Sequence, residues 1–61
     1  MSWTTHTKID KLEDIPAIYA MYDEKGELIY IGQSKRVRYR LSKHPKRSKY
    51  AYIKVRATET T

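Results

Sequence analysis

The chain contains no cysteine. That excludes disulfide staples and thiolate metal sites, and it suits a reducing cytoplasmic compartment. No apolar run approaches the ~20 residues of a membrane-spanning helix. The opening Met1-Ser2-Trp3-Thr4-Thr5-His6 has no apolar stretch of the kind a secretory leader carries. No internal repeat or low-complexity run is present. Acidic side chains are absent from Leu28 through Thr58. Length is also scarce. With 61 residues the chain is one domain at most, and a domain this small buries only about 60% of its unfolded surface. Such scaffolds usually need a staple.

What is present is charge of one sign, unevenly placed. The net charge is +6. Residues 1–27 hold three Lys/Arg and six Asp/Glu, a balance of −3, whereas residues 28–61 hold ten and one, a balance of +9. A half-chain this basic attracts polyanions, nucleic acid first and an anionic membrane surface second. Tyrosines interleaved at positions 30, 39, 50 and 52 favour nucleic acid. The plainer alternative is a solvated basic surface that keeps the chain soluble.

Residues 1–14 are polar and lack a clear period, and they read as an N-terminal extension; Asp10–Asp14 could form one helical turn. Trp3 reads as a lid over the edge of a small core and is assigned no function. Pro16 cannot donate to a ladder, so it belongs where a strand begins. Ala17–Tyr22 is the first expected strand. Asp23-Glu24-Lys25-Gly26 is a turn, with Gly26 free to adopt a left-handed conformation. Leu28–Gly32 is the second strand, rich in β-branched and aromatic residues. A four-residue loop would pair Tyr22 with Glu27, Met21 with Leu28 and Tyr19 with Tyr30. Both tyrosines would then share a face with Ala17, Met21, Leu28 and Gly32, leaving Ile18, Ala20, Ile29 and Ile31 on the other. A three-residue loop with a bulge would shift the pairing by one and separate the tyrosines.

Ser34 is a fair N-cap, and residues 35–43 read as a helix that stops before Pro45. Val37 and Leu41 form its apolar stripe. Arg40 lies about 60° from Val37 around the helix, so it flanks the buried stripe, with Arg36 and His44 continuing the row. Lys46, Arg47 and Lys49 form a basic loop. Tyr50–Ala57 alternates, with Ala51, Ile53 and Val55 on one side, and reads as a third strand; 58–61 is a tail. The expected fold class is α+β: a three-stranded antiparallel sheet with a basic helix between strands 2 and 3.

Residues 15–57 resemble the GIY-YIG nuclease superfamily. The first signature, Gly-Ile-Tyr, stands here as Ala17-Ile18-Tyr19, and the second, Tyr-Ile-Gly, is intact as Tyr30-Ile31-Gly32. Ten residues separate the two tyrosines, and Arg40 lies eight residues past Gly32, where the family has its arginine. His44 stands four residues further on, where many members have His or Tyr. Ala17 replaces the first motif glycine, and Arg36 stands where members often have Asn. The family's domains run on past the third strand into further helices, the first of which carries a metal-binding glutamate. The chain has no good match for that glutamate, Glu59 being too close to the strand end.

The resemblance implies a metal-dependent DNA endonuclease in the form of a truncated domain that lacks the C-terminal helices. Tyr19 would act as general base or orient the attacking water, with Arg40 and a metal favouring its phenolate against a reference pKa of ~10. Tyr30 would hydrogen-bond the scissile phosphate or the water. Arg40 would bind the phosphate and stabilise charge in the transition state, and His44 would position water or phosphate or donate a proton. Mg²⁺ or Mn²⁺ is the implied cofactor, as a Lewis acid, with no ligand for it found in the chain. Lys35, Arg36, Arg38, Lys43, Lys46, Arg47 and Lys49 would contact the DNA phosphate backbone without reading sequence. Without the glutamate, the expectation is a chain inactive on its own.

Taken singly, each of these residues has a plainer role. Strand tyrosines commonly edge a core, a helix arginine is usually solvated, and a histidine at a helix C-terminus favours the dipole. Two other functions therefore stay open: a nucleic-acid-binding module that does not cut, and a small protein-interaction factor. One helix covers only one face of a sheet. If that is the tyrosine face, Ile18, Ile29 and Ile31 need the Trp3–Leu12 segment, a second copy of the chain or C-terminal helices to cover them.

Overall fold

A computed structural model describes residues 3–58. The elements run β1 (Thr4–His6), a 3₁₀ turn (Ile9–Lys11), β2 (Ala17–Tyr22), β3 (Leu28–Ser34), α1 (Val37–Ser42) and β4 (Tyr52–Ala57). The sheet is four-stranded and antiparallel, in the order β1-β4-β2-β3. β2 and β3 form a hairpin. The chain then crosses one face of the sheet through α1 and returns as β4 on the other side of β2, a split βαβ arrangement.

The three-stranded expectation is corrected by β1. Thr4, Thr5 and His6 pair with Val55, Lys54 and Ile53 of β4. Nothing in Thr-Thr-His alternates between apolar and polar. The strand is held by main-chain hydrogen bonds, together with Thr4 Oγ1, which donates to the Val55 carbonyl at 3.3 Å. The N-terminal segment therefore extends the sheet, then turns onto the helix side, where Leu12 is buried. Trp3 stays substantially exposed.

The hairpin register also differs from the expected one. Asp23 N donates to the Glu27 carbonyl and Gly26 N to the Asp23 carbonyl, both at 3.0 Å. The loop is thus the three-residue Glu24-Lys25-Gly26, closed by Gly26 at φ +81°, and Asp23 Oδ1 accepts from the Lys25 and Glu27 amides at 2.9 Å. A second irregularity follows at once. Tyr22 pairs with Leu28 but Met21 pairs with Tyr30, so Ile29 is bulged. Each irregularity shifts the register by one residue. Together they shift it by two, which restores parity. Tyr19 faces Gly32 rather than Tyr30, yet Tyr19 and Tyr30 remain on one face as diagonal neighbours. The bulge also turns Ile29 toward the core, not onto the opposite face as expected.

The core lies between that face and α1. Ala17, Tyr19 and Met21 of β2, Ile53 and Val55 of β4, Val37 and Leu41 of α1, and Leu12 are all buried. The helix is shorter than 35–43, and β3 runs two residues past Gly32. Ser34 Oγ accepts from the Arg36 amide at 3.1 Å, but the capping of α1 comes from far away in sequence. Asp14 Oδ1 accepts from the Tyr39 amide at 3.0 Å and Oδ2 from Arg36 Nε at 2.9 Å. The Val37 amide donates to the Ile15 carbonyl at 3.0 Å. The segment just before β2 therefore fixes where the helix begins.

Candidate nuclease site

Tyr19 and Tyr30 project from adjacent strands toward α1, with ring centroids 6.0 Å apart and planes 21° from parallel. Their closeness depends on Gly32. A Cβ built there would lie 2.7 Å from Tyr19 Oη and 2.9 Å from both Tyr19 Cζ and Tyr30 Cε2. Both rings occupy the space a side chain would need, so any larger residue at 32 displaces the tyrosine pair. This gives the glycine of Tyr-Ile-Gly a steric function, independent of its backbone angles.

Arg40 is the one member of the expected cation row that faces both hydroxyls. Its guanidinium interacts with Tyr19 and Tyr30, an arrangement that holds it firmly in the charged form. Arg36 and His44 fall outside the six-residue helix, before and after it, so the row ends at Arg40. Arg36 turns away to Asp14. It also lies against Tyr39, with its guanidinium carbon 4.8 Å from the ring centroid.

Burial decides the state of Tyr19. The residue is 1% exposed, and loss of solvent raises its pKa more than the Arg40 guanidinium lowers it. Arg40 favours the phenolate as expected, but with no metal beside it burial outweighs Arg40, and this phenol stays protonated at neutral pH and can donate a hydrogen bond.

His44 is 2% exposed. Its ring stands edge-on to Tyr30, with centroids 4.4 Å apart, and to Tyr19 at 5.9 Å. Nδ1 accepts from the Lys46 amide at 3.1 Å, so in the neutral ring the proton resides on Nε2, a buried atom with no partner. Burial, then the charges of Arg40 and Lys46, hold its pKa below the ordinary value. A neutral imidazole behind the tyrosines is placed to brace the Tyr30 ring.

The seven expected backbone contacts, Lys35, Arg36, Arg38, Lys43, Lys46, Arg47 and Lys49, are all exposed. They lie on the β3–α1 connection, along α1 and in the loop behind it. Arg36 is committed in part to Asp14, and Lys43 Nζ lies 5.5 Å from the Tyr39 ring centroid. Two residues that shape the site escaped the sequence reading. Gly32 was identified only as part of a motif, and Asp14 carried no local signal of a cap for a helix more than twenty residues away.

A model of the UvrC-like GIY-YIG domain matches residues 15–60. The chain belongs to the GIY-YIG superfamily. Searches of curated proteins and of solved structures give no significant match. The family is one of nucleases that act on DNA and are generally dependent on a divalent metal. Among the described residues, no group of three His, Cys, Asp or Glu side chains could hold a metal ion. The donors at this site are two phenols, a guanidinium and a buried imidazole, a set that does not fit a hard divalent cation, which takes carboxylate and carbonyl oxygens. No helix among the described residues is long and apolar enough to cross a membrane.

Proposed function

We propose that this chain carries the phosphate-holding part of a GIY-YIG-type DNA endonuclease site. The observation that supports this reading is the convergence of Tyr19, Tyr30 and Arg40 on one face, made possible by the missing Cβ of Gly32. Arg40 binds the scissile phosphate and stabilises the charge that builds up on its oxygens. Tyr30, half-exposed at the rim, orients the phosphate or the attacking water. Tyr19, protonated and fixed by burial, donates to the same group and holds the Arg40 guanidinium in position. His44 keeps Tyr30 upright from below. Lys35, Arg38, Lys43, Lys46, Arg47 and Lys49 attract the neighbouring phosphates.

The donor set favours a second reading, in which these residues by themselves grip DNA without cutting it. Two measurements separate the readings. Fluorescence anisotropy with a labelled duplex should show affinity that falls with salt at a log–log slope of ~0.9 per phosphate contact. No binding at low salt overturns both. Plasmid nicking with added Mg²⁺ or Mn²⁺, lost in Arg40→Ala, establishes the endonuclease reading. Binding without nicking establishes the second.

A further inference from the structure

The helix has a second flank. Opposite the one bearing Arg40, a cleft of about 480 Å³ opens between α1, the 3₁₀ turn and the 45–50 loop. Its volume falls in the ~300–1,000 Å³ range of small-ligand sites. Tyr39 and Tyr50 line it, together with Arg36, Arg38, Arg47 and Asp10.

Three features define its chemistry. The cations are in excess: Arg36 is paired with Asp14, but Arg38 and Arg47 form no ion pair among the described residues. Three guanidinium groups line the cleft against the carboxylates of Asp10 and Asp14, and a bound phosphate pairs with the two that Asp14 does not hold. The walls are flat and partly fixed. The Arg36 guanidinium lies over the Tyr39 ring while Asp14 holds its Nε, and Tyr50 Oη donates to the Thr7 carbonyl at 3.4 Å. Aromatic rings and guanidinium planes are the surfaces on which unstacked bases stack. Finally, the exposed Asp10 carboxylate lines the same space and can accept an amino hydrogen from a base edge. An inorganic anion leaves the rings and the carboxylate unused. A ligand with a flat face, amino hydrogens and a phosphate uses all three.

We infer that this cleft receives one unpaired nucleotide of the bound DNA, its base against Tyr39 and Tyr50 and its phosphate on Arg38 and Arg47. The inference rests on the DNA-binding reading above and narrows its substrate to duplexes with an unstacked position. Tyr39 and Arg40 are consecutive on α1, so the cleft and the tyrosine pair are separated only by the width of a helix, about 10–12 Å with its side chains. A strand held at Arg40 therefore passes the mouth of the cleft within a few nucleotides.

The test compares two labelled duplexes at one salt concentration, one fully paired and one with a single-nucleotide bulge carrying 2-aminopurine. The bulged duplex is expected to bind about tenfold more tightly, with quenching of the 2-aminopurine fluorescence as it stacks. Tyr39→Ser and Arg47→Gln, both at exposed positions and checked for folding by circular dichroism, each bring the affinity ratio close to one and abolish the quenching. Equal affinity of the wild-type chain for the two duplexes overturns the cleft assignment and leaves DNA binding standing. Binding to neither overturns both. A preference that survives in Tyr39→Ser or Arg47→Gln places the unpaired nucleotide elsewhere and overturns the assignment.

Discussion

The two faces of the sheet are built by the same strands and have different fates. On one face, Ala17, Tyr19 and Met21 meet Val37, Leu41, Ile53 and His44, and all are buried. On the other, Ile18, Ala20 and Tyr22 stand between Arg56, Lys54 and Tyr52 of β4 and Gln33, Ile31 and Leu28 of β3. There Tyr22 stacks on Tyr52 at 5.0 Å with planes 8° apart, Lys54 Nζ lies 5.5 Å from the Tyr22 ring centroid, and Ile31 is 57% exposed. Alternation along a strand supplies apolar residues to both faces. The helix and the 3₁₀ turn bury the first set, whereas in the second only the small Ala20 is buried, between its strand neighbours. Tyr19 and Tyr22, three residues apart on β2, show the difference: one is a desolvated hydrogen-bond donor facing an arginine, the other half of a cross-strand stacked pair.

The contrast breaks most sharply through packing. Leu41→Ala should destabilise the chain by about 2–5 kcal/mol, against a total of only ~5–15 kcal/mol for a domain. Ile31→Ala, on the other face, should change stability by roughly 0.5 kcal/mol or less. Urea denaturation of the two variants compares them directly, and equal losses would mean that the outer face is also packed.

Next in size is the glycine pair of the hairpin. Gly32→Ala forces a Cβ against two rigid rings and should cost about 1–3 kcal/mol through overpacking. It should also weaken DNA binding, because the tyrosines move. Gly26→Ala places a side chain at φ +81° in the exposed turn, should cost about 1 kcal/mol from backbone strain alone, and should leave DNA affinity unchanged. Thermal melts and anisotropy separate the site effect from the turn effect.

pH sharpens the comparison further, since both shifted groups that tie the helix in place lie on the covered side. His44 has a lowered folded pKa, so the unfolded chain binds its proton first. Stability should fall as pH drops through 6.5 and level off below the folded value. Asp14 is lowered from 3.8, chiefly by the Tyr39 amide. Its contribution should be complete above the unfolded value and be lost in acid as pH falls through the folded one. His44→Phe should remove the first decline and Asp14→Ala the second in melting temperature measured against pH. A single decline that neither variant alters would assign the pH dependence to other groups.

The smallest expected effect tests the proposed DNA contact one face at a time. Arg40→Ala should reduce the salt slope by about 0.9, the loss of one phosphate contact, whereas Lys54→Ala on the outer face should leave it unchanged. Equal reductions would show that both faces touch the duplex.

Local sequence determined much of this molecule. Ala17–Tyr22 and Leu28–Gly32 are strands because β-branched and aromatic residues cluster there between Pro16 and Gly26. Val37 and Leu41 are buried because four-residue spacing puts them on one helix face, and Ile53 and Val55 because alternation puts them on one strand face. The Tyr-Ile-Gly triplet and the spacing to Arg40 marked residues that the fold brings together, and the +9 balance of the second half is a property of composition alone. Tertiary structure alone decided the rest. The hairpin register needed two successive irregularities, one set by the left-handed Gly26 and one by packing of Ile29, and periodicity cannot count residues inside a turn. β1 joined the sheet through main-chain hydrogen bonds, which any non-proline sequence can make, so Thr-Thr-His carried no pattern to read. Asp14 capped α1, Arg36 left the cation row and His44 sank beneath Tyr30 because partners distant in the chain met there. Desolvation then fixed the protonation state of Tyr19, since the cost of burying a charge depends on everything packed around it and not on the residue that bears it.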